Sequence, residues 1–475
     1  MPSPWPDREP TAAERASYAG AKVTPFWLDD LPGTEPAPPV EGDAETDLCI
    51  VGGGFTGLWA ALHAKARDPE RDVAVLESET CGHGASGRNG GFLLASLTHG
   101  AANGRSRFPE ELETLERLGF ENYDGLRRDL EAHGIDCDFE ETGDLTVALE
   151  PHELDDMREE AEDMRGLGHT VELLDRDQVR AEVSSPMYLG GLWDRTGAAL
   201  VHPGKLARGL RDAALRAGVR LFEHTAVTGL GAAGAGVDVA TATGVVSARR
   251  VLLATSAYPP LLRSVRRYVL PVYDYALMTE PLDAARRESI GWQHRQGVGD
   301  AGNQFHYYRL SADDRILWGG YDAVYRFGGP VGDHLDDHDP SFAALAQHFF
   351  ATFPQLEGVR FTHRWGGAID TCSRFSVFFG TALGGRVSYA TGYTGLGVCA
   401  SRFGAEVALD LADARETDAT RLRYVRRRPV PFPPEPLRSG VVRLTQNRLA
   451  AADRREGRRG LWLRALDRAG LGFDS

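Results

Sequence analysis

Residues 48 to 51, Leu-Cys-Ile-Val, and 73 to 76, Val-Ala-Val-Leu, are short unbroken apolar runs, and the stretch from Leu58 to Ala66 between them is apolar at helical density. Uninterrupted apolar runs of this length predict strands buried on both faces, so the pattern opens as strand, helix, strand. Further on, Leu112, Leu115, Leu118, Tyr123, Leu126 and Leu130 recur at helical spacing, which predicts one long amphipathic helix over 105–134. A short strand at 145–149, a helix at 154–167 with an acidic outer face, a helix at 205–217 and strands at 219–227 and 249–255 follow. That order continues a three-layer α/β unit around the first three elements.

Between 269 and 361 the texture changes to aromatic strands divided by turns, among them Val272-Tyr-Asp-Tyr-Ala-Leu-Met-Thr279 and Phe305-His-Tyr-Tyr-Arg-Leu310. Strand and glycine signals return at 386–397 and a helix at 401–412. The α/β unit is therefore expected to be discontinuous, formed by 44–135, 178–268 and 362–416, with a β-rich substrate domain from 136–177 and 269–361. Residues 1–43 read as an N-terminal arm, too polar and Pro-broken for a core element. Residues 417–475 read as a basic extension, Pro-punctuated and then helical over 440–466, which packs on the acidic body or serves as a subunit contact in a homodimer.

The net charge of −15, from 53 basic and 68 acidic residues, repels phosphates and argues against a nucleic-acid or anionic-membrane binder. No 18-residue apolar run is present, and the first residues show no charged segment followed by an apolar one, so the expected location is the cytoplasm. Five scattered cysteines, Cys49, Cys81, Cys137, Cys372 and Cys399, show no metal-ligand spacing and read as reduced thiols.

The first strand runs into G-x-G-x-x-G at Gly52, Gly54 and Gly57, followed by Phe55, Thr56 and the helix. In such a unit the first glycine makes a sharp turn, the second lets the backbone approach a pyrophosphate, and the third lets helix pack on strand. The second strand ends at Glu77, 20 residues beyond Gly57, where a carboxylate accepts from ribose hydroxyls; Ser78 follows it. A second glycine cluster, Gly84-Ala85-Ser86-Gly87-Arg88-Asn89-Gly90-Gly91, lies just beyond. A nicotinamide domain needs no such loop, whereas a flavin extends from the pyrophosphate and needs small residues there. A third cluster, Gly392-Tyr-Thr394-Gly395-Leu396-Gly397-Val398, opens a late helix whose N-terminus can stabilise negative charge on a reduced flavin. Three clusters, each at a strand-to-helix junction, point to FAD.

With these motifs the chain resembles the D-amino-acid-oxidase-like superfamily of FAD-dependent oxidoreductases, and its gamma-glutamylputrescine-oxidase-like branch in particular, through 47–58, 84–91, 308–320, Trp365-Gly-Gly367 and 392–398. The resemblance implies a glutathione-reductase-type FAD fold: a Rossmann-like α/β domain with an inserted α+β substrate domain. It implies Gly52, Gly54 and Gly57 at the diphosphate, Glu77 at the adenosine ribose, 86–89 beside the flavin, Val227 at adenine, Thr255 along the cofactor, and Gly395 to Val398 at the pyrimidine edge. Trp318 falls where the sarcosine-oxidase branch has an oxygen-activating lysine, and Cys399 near its carboxylate-binding lysine. Trp365 falls near that branch's flavin-linked cysteine, which implies noncovalent FAD.

The polar handles expected over the ring are Tyr273, Tyr275, His306, Tyr307, Tyr308 and Arg309, with Trp318 beside them. Arg309 either binds a substrate carboxylate or pairs with Asp313 or Asp314. The expected reaction is oxidation of an amine C–N bond, hydride passing to flavin N5 and the imine being hydrolysed, with O2 as acceptor giving H2O2. A dehydrogenase using a quinone or carrier protein, and a non-catalytic FAD-containing ligand-binding protein, stand as alternatives.

Overall fold

The computed structural model describes residues 4–468 and 470–472, and within them two sheets carry the architecture. In the first, Ala44–Val51 lies parallel between Val73–Leu76 and Val245–Leu253, with Arg220–Phe222 beyond Val73–Leu76. Leu48, Cys49 and Ile50 are fully buried, as a parallel strand covered on both faces requires. Helices Phe55–Arg67, Pro203–Arg216 and Gly397–Ala412 share one core with the sheet's face through Leu58, Trp59, Leu206 and Leu409. The antiparallel strands Val227–Ala233 and Gly236–Thr241 extend it beyond Val245–Leu253.

The second sheet has nine strands, with Phe361–Thr371 and Leu270–Thr279 paired antiparallel near one edge and Ile316–Gly320, His306–Leu310, Gly297–Asp300 and Asp144–Ala148 following in order. Its outer face packs on helix Asp339–Thr352 through Phe342, Ala346 and Phe349.

Three expectations change. Residues 105–134 form two helices, Ala101–Arg107 and Leu112–His133, because Pro109 stands at the break and cannot donate an amide. Gly190–Asp194, assigned to the nucleotide unit, pairs with Asp144–Ala148 in the second sheet. The arm holds core residues: Trp5, Tyr18, Phe26 and Trp27 are buried, helix Ala12–Tyr18 carries a capping box at Thr11 and Glu14, and Lys22–Val23 pairs with Phe361–Thr371. Its prolines shape a path between the two sheets, and the aromatic residues between them supply the burial.

Candidate functional site: a cofactor cleft continuous with a tyrosine-walled chamber

One cavity of about 1780 Å³ runs from the glycine turn of the first sheet to the inner face of the second. Gly52 has φ +109°, and a Cβ there would lie 2.5 Å from the Ala254 carbonyl oxygen, so the turn requires glycine. A Cβ on Gly57 would lie 1.9 Å from the Gly52 carbonyl oxygen, which is how closely the helix approaches the turn. Helix Phe55–Arg67 begins at Gly54 with no side-chain cap and no acid in its first turn, leaving an electropositive end at the cavity wall. Glu77 is held by the Gly53 N–H (2.6 Å) and the Glu79 N–H (3.0 Å), with the Ser78 hydroxyl donating at 3.1 Å.

The second glycine cluster is fixed by its own side chains. Asn89 donates to the Ala85 and Ser86 carbonyls (3.0 Å each) and accepts from Gly91 N–H at 2.8 Å, while Ser86 Oγ accepts from Phe55 N–H at 2.9 Å. Arg88 pairs with Asp336 and with Asp333 (2.8 Å), and its carbonyl accepts from Trp365 Nε1 at 2.9 Å. The third cluster hangs on Asp370, whose carboxylate accepts from Gly392 N–H (2.6 Å), Tyr393 N–H (3.1 Å) and Thr391 Oγ1 (3.2 Å). Burial nonetheless pushes that carboxyl up to about 6. Gly395 has φ +94°, and helix Gly397–Ala412 starts, like the first, without a side-chain cap or first-turn acid.

Of the residues read as cofactor-binding, Gly52, Gly54, Phe55, Thr56, Glu77, Ser78, Ala85, Ser86, Arg88, Asn89, Gly90, Val227, Thr255, Thr394, Gly395, Leu396, Gly397 and Val398 all line this cavity. Gly57, Gly87 and Gly392 stand behind it: a Cβ on Gly87 would meet Gly82 O at 2.4 Å and Leu28 of the arm at 2.6 Å, and one on Gly392 would meet Phe378 at 2.8 Å. Two helix N-termini without a first-turn acid, a glycine turn and a strand-end carboxylate on one continuous cavity fit an extended dinucleotide.

Of the seven residues expected over the ring, Tyr273, Tyr275 and Tyr307 line the cavity, and His306, Tyr308, Arg309 and Trp318 do not. The Tyr275 hydroxyl donates to the Leu335 carbonyl (3.0 Å) and accepts from Arg326 (2.8 Å), and its ring packs on Phe342. His306 is fully buried on the far side of its strand, Nδ1 against the Gly319 carbonyl (3.2 Å) and Nε2 against His348 (2.9 Å); burial pushes its pKa well down. Trp318 stacks on His306 (4.6 Å between ring centres) and packs on Phe349 and Phe353, in the outer core. Arg309 pairs with neither Asp313 nor Asp314. It donates to the Val201 (2.6 Å) and Leu310 (3.1 Å) carbonyls behind the second glycine cluster, and burial lowers its pKa to about 10. Strand parity explains Tyr307 against His306, Tyr308 and Trp318: Tyr307, one residue from His306, faces the cavity and donates to Asp274 at 2.7 Å, whereas Tyr308, with the Tyr188 hydroxyl at 2.7 Å, and its ladder partner Trp318 face the core.

The sequence profile of the family described as DAO, FAD dependent oxidoreductase, matches residues 47–411. The chain is a member of that DAO family. It is 34% identical over 382 residues to the gamma-glutamylputrescine oxidoreductase of Escherichia coli, covering 78% of this chain and 85% of that one. With a probable oxidoreductase OrdL of Haemophilus influenzae it shares 31% identity over 384 residues, 79% of this chain and 85% of the relative. The crystal structure of glycine oxidase from Geobacillus kaustophilus superposes with a TM-score of 0.66 at 22% identity, over 79% of this chain and 96% of that one. As a DAO-family member the chain is an FAD-dependent oxidoreductase.

Two parts of this DAO-family chain escaped sequence reading. Tyr258 and Tyr321 join Tyr273, Tyr275, Tyr307 and Trp365 in lining the chamber. The C-terminal extension, outside 47–411, covers it: helices Leu437–Asp453 and Leu461–Arg468 present Val441, Val442, Leu449, Leu463 and Leu466 to the cavity. The cover is pinned by Glu435 to Tyr325 and the Gly328 N–H, by Asp453 to Asn303 and Gln304, and by the Gly472 carbonyl to Arg107. The spacing Val441, Val442, Thr445, Leu449 marks one face of a helix, and was the available signal. No described helix is long and apolar enough to cross a membrane.

The flavin is expected to be noncovalent. Cys372 is fully buried, with its thiol against the Ser376 (3.2 Å) and Gly392 (3.4 Å) carbonyls, and burial pushes the Cys372 and Cys81 thiols up, away from nucleophilic thiolate. Acid precipitation should leave the yellow colour in the supernatant; colour retained in the pellet would show a covalent link.

Proposed function

We propose that this oxidoreductase acts on an aliphatic amine larger than glycine or sarcosine, removing hydride from the carbon that bears nitrogen and giving an imine that water hydrolyses. The observation that carries the reading is the chamber's chemistry: tyrosine and tryptophan line it beside the second sheet, Arg309 stands outside the cavity with Nε and Nη1 on backbone carbonyls, Arg88 is paired with Asp333 and Asp336, and the other lining arginines belong to the 259–266 loop and the C-terminal extension. Neutral aromatic walls stabilise an alkyl chain by burial at about 25 cal/mol per Å², whereas a carboxylate brought there without a cation would cost several kcal/mol. Cys399 lies within helix Gly397–Ala412, fully enclosed and accepting from Asn122, so it does not supply that cation either. The relative that acts on gamma-glutamylputrescine supports the same class.

FAD, when bound, supplies the hydride acceptor, N5 of the ring. The chain holds it with the 52–57 turn, Glu77, the 84–91 loop and the 394–398 helix start. Tyr307, fixed by Asp274, and Trp365, fixed by the Arg88 carbonyl, orient the substrate's carbon. The C-terminal cover excludes water while the C–H bond breaks. Oxygen is the proposed acceptor, giving H2O2.

The test is anaerobic titration of the holoenzyme with an amine panel, followed by admission of air. Long-chain or N-acylated diamines are expected to bleach the visible flavin band faster than glycine, sarcosine or D-alanine, and reoxidation should release stoichiometric peroxide. An oxidised band under every amine would leave a ligand-binding flavoprotein; slow reoxidation without peroxide would point to a carrier acceptor.

A further inference from the structure

The cavity is lined by many carboxylates, and nearly all of them are committed. Glu77, Glu153, Asp274, Asp300 and Asp370 accept from backbone amides, Asp322 accepts from Ser341, and Asp467 pairs with Arg459. Asp156 and Glu160 lie exposed at the rim. Asp144 differs from all of these. It is partly buried inside the chamber, on the first position of strand Asp144–Ala148, and among the described residues its carboxylate meets no hydrogen-bond donor and no cation. A Cβ placed on Gly297 would lie 3.2 Å from its Oδ1 and 2.4 Å from the Phe92 ring, so the carboxylate and the ring flank the same glycine. A Cβ on Gly90 of the flavin loop would meet that same Phe92 at 3.1 Å, which puts one ring between loop and carboxylate. The charges nearest Asp144, Asp194 and Glu160, are also negative, and with burial they push its carboxyl up to about 7. Asp194 is neutralised by His169 at 2.7 Å, and Asp144 has no such partner.

An enclosed carboxylate without a partner is a cost to the fold that a cationic ligand removes. We propose that Asp144 receives the ammonium group of the incoming amine and takes one of its protons, so that the alkylammonium and the carboxylate become the free amine and the carboxylic acid. The nitrogen lone pair is thereby freed, as departure of hydride from the neighbouring carbon requires, and the acid returns its proton to solvent after product leaves. The inference rests on the amine reading above, and it gives that reading a binding residue.

The experiment uses tert-octylamine, which has no hydrogen on its α-carbon and so binds without being oxidised. Calorimetric titration of the oxidised holoenzyme should show binding that falls at least tenfold in Asp144→Asn and recovers most of its strength in Asp144→Glu, with flavin content unchanged in both. A position that served the fold alone would lose stability on substitution. Here Asp144→Asn should keep or raise the Tm at pH 8, because it removes an unpaired charge. Unchanged affinity in Asp144→Asn, or no binding by the native holoenzyme, overturns the inference. The two proposals fail separately: binding through Asp144 with no amine able to bleach the flavin sinks the amine-oxidation reading alone. Bleaching with the same half-saturation in native enzyme and Asp144→Asn sinks Asp144 alone.

Discussion

Gly57→Ala is expected to yield a colourless, destabilised protein. The added methyl group would sit 1.9 Å from the Gly52 carbonyl oxygen, well inside van der Waals contact, and the obstacle is backbone. Either the helix lifts off the strand or the turn opens, and both movements take the amides away from the diphosphate. Gly54→Val separates folding from cofactor binding. Its Cβ would meet only the Ser86 hydroxyl, at 2.9 Å, a side chain able to shift, so this variant should fold and still lose FAD because its side chain fills the pyrophosphate's space. Both should also lose the stabilisation that a bound ligand confers, about 4 kcal/mol at a thousandfold excess over Kd. Flavin absorbance per protein and the Tm check both statements. Normal flavin in Gly57→Ala would mean the helix is not held at the distance observed.

Arg88→Met is expected to cost about 3–5 kcal/mol of stability, the range for breaking a buried ion pair from one side. Asp336 is 4% exposed and Arg88 9%, so the orphaned carboxylate would have no water to replace its partner. The sign of the pH dependence follows from burial. Asp336 already sits above the usual carboxylate range, because desolvation outweighs the Arg88 charge, and without that charge it rises further. A carboxyl whose pKa is higher folded than unfolded destabilises the fold as pH climbs past the unfolded value. The deficit should therefore be largest near pH 8 and shrink toward pH 5, where the acid takes up a proton. Chemical denaturation of Arg88→Met at the two pH values measures this, and a deficit independent of pH would show that packing, rather than the charge, is what Arg88 supplies. The double variant Arg88→Met/Asp336→Leu should recover part of the loss.

The glycines and the acid at the end of a strand were legible from sequence because their setting is local: Gly52 and Gly54 form the turn after the first strand, Gly57 lies in the first turn of helix Phe55–Arg67, Glu77 directly follows strand Val73–Leu76, and their spacing is their geometry. The chamber was legible as a composition of aromatic residues but not as a set of positions. His306, Tyr307 and Tyr308 are adjacent, and only knowledge of which sheet face meets the α/β unit tells that Tyr307 reaches the cavity while its neighbours enter the core. Arg309 shares the face of Tyr307, yet is drawn behind the second glycine cluster by carbonyls 108 and 218 residues away in the chain. Asp144 was invisible for the opposite reason, since what distinguishes it is a partner it lacks. The arm and the cover were misjudged together: each is short, Pro- or Arg-rich and weakly periodic, and each becomes ordered on surfaces built by distant residues.

The cover carries a consequence for how substrates are compared. Residues 437–468 hold nine arginines against three acids, a net of +6, in a chain whose total is −15, so the remainder carries −21. Beyond its few pinning bonds, the cover is thus drawn down by a long-range attraction that acts through water and reaches only about 8 Å at physiological ionic strength. Dissolved salt competes with that attraction directly. How firmly the cover sits on the cavity is therefore set partly by the buffer, and two candidate substrates rank against one another only at one ionic strength, a charged one being itself a contributor to the screening.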